Sequence, residues 1–326
     1  MPAWGFGSLV AIGAVFLVTG LVAAWAGPYR YRVGEEDDMR SSWGARAALE
    51  AEAASILEGL ADSTRGRTED MLAYALPEAA RLEDAGSRIN LNWVRAYVLR
   101  DAPALLALFS GGSPDELQAF RSASRLGSRL DAYADFFDQE TLERYFTLRT
   151  PMNVNTVDEF SFENVMALAT GDASSGASWR ERLRDLRLSG KAVEDEAELR
   201  AWFGTDWDKV ALFAQATPEW NANTFDPFLL GAVFACAEFA IADPASAASA
   251  IIGARESRYL VDADLRTILG LPKENQIWRH LGTETSAWTL YVSDASGLRI
   301  EVDFRTRGEV EAGGVFRVIA RRWHDA

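Results

Sequence analysis

From Ala3 to Ala26 (AWGFGSLVAIGAVFLVTGLVAAWA) the chain carries no charged residue. At about 1.5 Å of rise per residue, such a run is long enough to cross the roughly 30 Å hydrocarbon core of a bilayer as one helix. Beyond Pro28 the pattern turns amphipathic. Trp43, Ala47, Leu49, Ala53, Ile56, Leu57 and Leu60 fall on one side, and Arg46, Glu50, Glu52, Glu58 and Asp62 on the other, the spacing of a helix with one buried face. Only Gly34 and Gly44 interrupt the stretch from Val33 to Glu58, so one long helix is expected, half in lipid and half packed on a folded head. A signal peptide ending at Ala24-Trp25-Ala26 and cleaved before Gly27 is the competing reading. It fits less well, because the apolar run exceeds what a signal needs and Met1 to Trp4 hold no basic side chain. Orientation stays open on charge alone: Arg30 and Arg32 follow the span, and the acidic run Glu35 to Asp38 follows them.

The stretch from Arg88 to Leu281 has helical periodicity broken at Gly111-Gly112, Pro151, Gly171 to Gly176, Pro218, Pro227 and Pro272. It contains a repeat. Met152-Asn153-Val154-Asn155-Thr156 returns as Trp220-Asn221-Ala222-Asn223-Thr224, and each copy precedes an apolar helix, Phe162 to Leu168 and Phe228 to Phe239. Leu199-Arg200 with Gly204 then answers Leu265-Arg266 with Gly270, so the copies are helical units of about sixty-six residues. A weaker trace, Arg88-Ile89-Asn90-Leu91-Asn92, stands upstream. Asn and Thr side chains bond nearby backbone and cap helices, so the expected role of Asn153, Asn155, Thr156, Asn221, Asn223 and Thr224 is structural: Thr156 or Thr224 holds the first turn of the next helix, with Asp158 and Asp226 favoured by the helix N-terminus.

The last segment alternates instead. Trp288 to Val292, Leu298 to Phe304 and Val315 to Arg321 read as strands joined by turns at Ser293 to Gly297 and Gly308 to Gly314. The face carrying Leu298, Ile300, Val302 and Phe304 needs apolar cover, and the amphipathic half of the first helix supplies it. The chain is expected to divide into 1–26 (membrane segment), 27–87 (amphipathic helix and start of the head), 88–217 and 218–284 (two helical units) and 285–326 (closing strands).

Charge narrows the function. A net charge of -15 repels phosphate backbones, so nucleic acid is not an expected partner. The densest basic clusters, Arg180 to Arg187 and Arg317 to Arg322, are short, and Glu181 and Asp185 divide the first. Two histidines, His280 and His324, and one cysteine, Cys236, leave no zinc pattern and no intrachain disulfide. No P-loop or nucleophile elbow is present. Carboxylate pairs such as Asp262 and Asp264 are expected by chance in so acidic a chain, and Trp202, Trp207, Trp220, Trp278 and Trp288 lie in apolar patterns that suit a core. No enzyme is expected, and no catalytic residue is assigned.

An N-terminal membrane helix with a glycine-hydrophobic start, helical units opened by Asn-x-Asn-Thr, and a closing antiparallel sheet together resemble the minor pseudopilin K family of type II secretion systems (general secretion pathway protein K). The likeness covers most of the chain and is best in Met152 to Leu168 and Trp220 to Arg321, where the motif, its apolar helix, Arg255, the acidic residues, Leu-Arg, Gly270 and the strands keep the family's order. The resemblance implies an α+β fold: a pilin-like long N-terminal helix packed on a small antiparallel sheet, with a large inserted all-α domain of two tandem SAM-like, helix-hairpin-helix-like units. It implies a non-enzymatic subunit capping the tip of the pseudopilus and supporting protein export. Its partners are the I- and J-type minor pseudopilins, the major pseudopilin and the inner membrane, which it crosses once with its head in the periplasm. Processing by a prepilin peptidase falls between Gly5 and Phe6, and makes Val10 the fifth mature residue, where most pilins have glutamate. No cofactor is required. Calcium is a further implication of the resemblance, with Asp226, Glu256, Asp262 and Asp264 as available oxygens and no ligand assigned. The alternative reading is a membrane-tethered helix-hairpin-helix-like module that binds a ligand or nucleic acid.

Overall fold

The computed structural model describes residues 43–123, 127, 129–306 and 315–324. The expected membrane segment, with Gly5, Phe6 and Val10, lies outside them, as does the expected turn at 308–314. Among the described residues no helix is long and apolar enough to cross a membrane. The fold mixes many short helices with one antiparallel sheet.

The first helix, 43–64, lies on that sheet. Leu49, Ala53, Ile56 and Leu60 recur at intervals of four, three and four, and all four are buried against Trp288, Leu290, Val292, Ile300, Val302 and Phe304. Trp43 and Ala47 continue the same stripe in the sequence, yet both are exposed, because the contact with the sheet begins a turn later. The helix ends where Arg65 and Gly66 take positive φ, and the Thr64 hydroxyl donates to the Leu60 carbonyl at 2.7 Å.

Four antiparallel strands build the sheet, and one comes from far upstream. That strand, β1 (Ala80–Asp84), precedes the whole helical insertion. Six two-residue strands come next: β2 (Ile89–Asn90), β3 (Phe146–Thr147), β4 (Met152–Asn153), β5 (Ala214–Gln215), β6 (Trp220–Asn221) and β7 (Leu281–Gly282). The long strands β8 (Ala287–Ser293), β9 (Arg299–Thr306) and β10 (Phe316–His324) close the chain. The sheet order is β1-β8-β9-β10. Trp288 faces Phe304, Leu290 faces Val302 and Val292 faces Ile300 in the β8–β9 register, and these six side chains lie on the helix side. The closing strands lie close to their expected positions, whereas β1 is an addition.

β8 is buried on both faces over its first six residues. The second face is polar and holds the helical insertion. Arg149, in the linker after β3, donates to Tyr291 and, at 3.2 Å, to the Thr289 hydroxyl, and pairs with Glu301 at 2.8 Å and Asp303 at 3.5 Å. Arg322 closes the same network from β10, and Arg305 donates to the Ala211 and Ala214 carbonyls. Glu301 and Asp303, which read as the polar side of an alternating strand, are therefore buried in an ion-pair network.

The insertion consists of three closed loops, not the two that the repeat suggests. β2 pairs in parallel with β3, β4 with β5, and β6 with β7. The region 88–217 thus holds two loops and 218–284 a third. The weak upstream trace at Asn90 and Asn92 opens a full copy. Cores are shared unequally: the first and third loops bury Phe137, Phe146, Trp220, Leu230 and Phe239 in one cluster. The middle loop buries Phe162, Trp179, Leu183, Phe203 and Trp207 in a second, to which the first loop contributes Trp93.

Candidate functional site

The same turn opens each loop. The side-chain carbonyl of Asn90, Asn153 and Asn221 accepts from the backbone N–H two residues on, at 2.8, 2.9 and 3.0 Å. That second residue is again asparagine, and it reaches across its loop. Asn155 donates to the Val193 carbonyl at 2.8 Å and accepts from the Val193 N–H at 2.9 Å. Asn223 does the same to Leu260 at 3.0 and 2.8 Å, and Asn92 to Gly127 at 3.1 and 3.0 Å. An amide side chain is suited to this because it carries a donor and an acceptor side by side, as a backbone does.

An arginine completes each copy. Arg121 donates to the Leu91 and Val94 carbonyls, Arg187 to the Val157 carbonyl, and Arg255 to the Ala222 and Phe225 carbonyls. Burial lowers the pKa of all three guanidinium groups, and the carbonyl contacts provide the hydrogen bonds that a desolvated cation requires. This arginine is the part of the repeat that spacing alone left unrecognised, since Arg121, Arg187 and Arg255 sit in dissimilar local sequence.

The first asparagines link the loops to one another and to the sheet. Asn90 donates to the carbonyl and hydroxyl of Thr150, which precedes β4. Asn153 donates to the Arg279 carbonyl in the third loop, and Thr156 donates to the Glu219 carboxylate that precedes β6. Asn221 and Thr224 both donate to Asp84 at the end of β1. Helix capping itself falls to other residues. Asp158 accepts from the N–H groups of Phe160 and Ser161, and Asp226 from those of Phe228 and Leu229. Thr156 and Thr224 point back toward the neighbouring segment, so the expectation that they hold the first helical turn is corrected.

Where the three loops meet, a cavity of about 180 Å³ opens, lined by Arg95 and Tyr97 from the first loop, Asn155, Thr156 and Arg187 from the second, and Glu238, Gln276, Arg279 and His280 from the third. His280 is buried, stacked on Trp220 with ring centroids 4.9 Å apart. Its Nε2 lies 3.4 Å from the Tyr97 hydroxyl, and its Nδ1 is 3.7 Å from Glu219. Burial pushes the Tyr97 phenol up to about 12. Burial first, then the neighbouring Arg95 and Arg279 charges, bring Arg187 down to about 10. Sequence patterning missed this site, because its residues come from three loops and share no motif.

Asp226, Glu256, Asp262 and Asp264 do not converge. Asp226 caps a helix, Asp262 accepts from the Thr283 hydroxyl, and Asp264 pairs with Arg258 at 2.6 Å while accepting from the Val261 N–H. Among the described residues no group of three or more His, Cys, Asp or Glu side chains is placed to hold a metal ion. Cys236 is buried and burial raises its thiol pKa. Compared with known proteins, the chain matches no family model and no curated protein sequence.

Proposed function

We propose that the chain is a minor pseudopilin of the K type: a non-enzymatic, single-pass inner-membrane subunit whose periplasmic head caps a type II secretion pseudopilus beside I- and J-type partners. The supporting observation is the placement of the first helix. Its buried stripe Leu49, Ala53, Ile56 and Leu60 lies on a four-stranded antiparallel sheet, and the 202 residues between Asp84 and Ala287 are inserted between two adjacent strands of it. A helix seated on the head by a buried stripe, with an uncharged segment upstream of it in the sequence, suits a filament that grows by stacking such helices. A bulky insertion on the opposite face suits a subunit to which nothing further adds.

The alternative of a nucleic-acid module draws less support. The basic run Arg180 to Arg187 is engaged internally: Arg180 pairs with Glu163 at 2.6 Å, Arg184 with Glu159 and Glu181 at 3.2 Å, and Arg187 bonds the Val157 carbonyl. The deciding experiment is N-terminal sequencing of the protein from membranes of cells with and without a prepilin peptidase. A start at Phe6 that depends on the peptidase is the expected result. A soluble product starting at Gly27 overturns the proposal.

A further inference from the structure

The cavity between the three loops is unlike the rest of this acidic molecule. Three guanidinium groups, Arg95, Arg187 and Arg279, each from a different loop, line one space together with the Tyr97 hydroxyl and the Gln276 amide. Their negative neighbours are Glu159, 3.9 Å from one Arg187 nitrogen, the exposed Glu238 among the lining residues, and the buried Glu219, which accepts from Thr156 and lies 3.7 Å from His280; among the described residues neither Arg95 nor Arg279 has a carboxylate within ion-pair distance. One buried polar atom at this place, the Arg187 Nε, makes no hydrogen bond, and the His280 Nδ1 has only the Glu219 carboxylate, 3.7 Å away. Buried donors without partners are costly, and like charges converging in a partly desolvated space repel. Arg187 and Arg95 each hold a backbone carbonyl, of Val157 and of Thr156, whereas Arg279 does not. The Arg279 side chain makes no described hydrogen bond or ion pair, only its backbone carbonyl being engaged, by Asn153.

We infer that this cavity is a binding site for a small oxyanion carrying two or more negative charges, held by Arg95, Arg187 and Arg279 and ordered by Tyr97 and Gln276. Guanidinium groups bind oxyanions through paired charge-assisted hydrogen bonds, which a phosphate or a clustered carboxylate accepts equally well. Because each arginine belongs to a different loop, the anion cross-links the insertion, and its binding stabilises the assembled arrangement of loops. The inference does not depend on the pseudopilin assignment.

The test is calorimetric titration of the full-length protein in detergent with inorganic phosphate and, separately, with citrate, at constant ionic strength. Arg279→Gln is the informative variant, since it removes a charge whose side chain has no partner among the described residues, and Arg129→Gln, a surface arginine paired with Asp131, controls for net charge. Saturable binding of either anion to the wild-type protein and to Arg129→Gln, weakened about tenfold or more in Arg279→Gln, is the expected result. A response to phosphate alone assigns a tetrahedral ligand, and a response to citrate alone a polycarboxylate. Absence of saturable binding for both, or equal affinity in Arg279→Gln and wild type, overturns the inference. If Arg279→Gln does not fold, Arg95→Gln takes its place with the same criterion.

Discussion

Asn155 shows at the smallest scale how the insertion is held. One amide satisfies both the N–H and the carbonyl of Val193, so neither alanine nor aspartate replaces it: alanine makes neither bond and aspartate cannot donate. Asn155→Ala and Asn155→Asp are each expected to destabilise the protein by about 1–3 kcal/mol in urea unfolding. Glu301 carries the pH dependence. Burial pushes its carboxyl up, but Arg149, Arg322 and His324 outweigh burial and hold it below the usual glutamate range. A folded-state value below the unfolded one contributes stability that is present above the unfolded pKa and lost as pH falls through the folded one. Stability is therefore expected to decline as the pH drops below about 4.3. Arg149→Met removes the charge that lowers the Glu301 carboxyl most, so its acid decline is shallower. At neutral pH it leaves Glu301 and Asp303 buried with one arginine, Arg322, in place of two among the described residues, at a cost of about 3 kcal/mol.

At the scale of elements, helix-to-sheet packing decides how the ends of the chain are joined. Leu60 is fully buried beneath the sheet while Trp43 is 75% exposed. Leu60→Ala is expected to cost about 2–5 kcal/mol, and Trp43→Ser to change the stability of the head by about 0.5 kcal/mol or less, both read from urea unfolding. Equal losses from the two would place the packed stripe in the wrong register. In the middle loop, the helix Ala173–Leu188 crosses Glu159–Thr170 so closely that a Cβ at Gly176 would stand 2.7 Å from the Glu163 carbonyl oxygen and 2.9 Å from the Ala167 Cβ. Gly176→Ala must push the helices apart and is expected to destabilise by about 1–3 kcal/mol.

Across the whole molecule the unequal sharing of cores predicts unequal cooperativity. The middle loop's core takes only Trp93 from outside it, among the described residues, while the first and third loops divide one between them. Leu183→Ala is therefore expected to speed amide hydrogen exchange in residues 152–216 and to leave the other loops protected. Phe146→Ala, which touches Phe137 at 4.6 Å within the shared cluster, is expected to loosen 89–147 and 220–282 together. A Phe146→Ala effect confined to the first loop would show that the two do not open as one unit.

Periodicity carries local information, and the elements it marked were those whose pattern is written in their own residues: the stripe from Leu49 to Leu60, the closing strands, and the Asn-x-Asn turns with their following helices. Those patterns reflect one buried face or one local hydrogen bond, each legible without knowing the partner. The rest required the partner. β1 is a strand because Ala80 to Asp84 meets β8 across the 202 residues between Asp84 and Ala287. The polar side of β9 is buried because Arg149 descends on it, and the third repeat was obscured where Trp93 occupies the threonine position. The arginine cavity had no linear signature at all, since Arg95, Arg187 and Arg279 become neighbours only when three loops converge, and charge convergence is a property of distance in space and not of spacing along a chain.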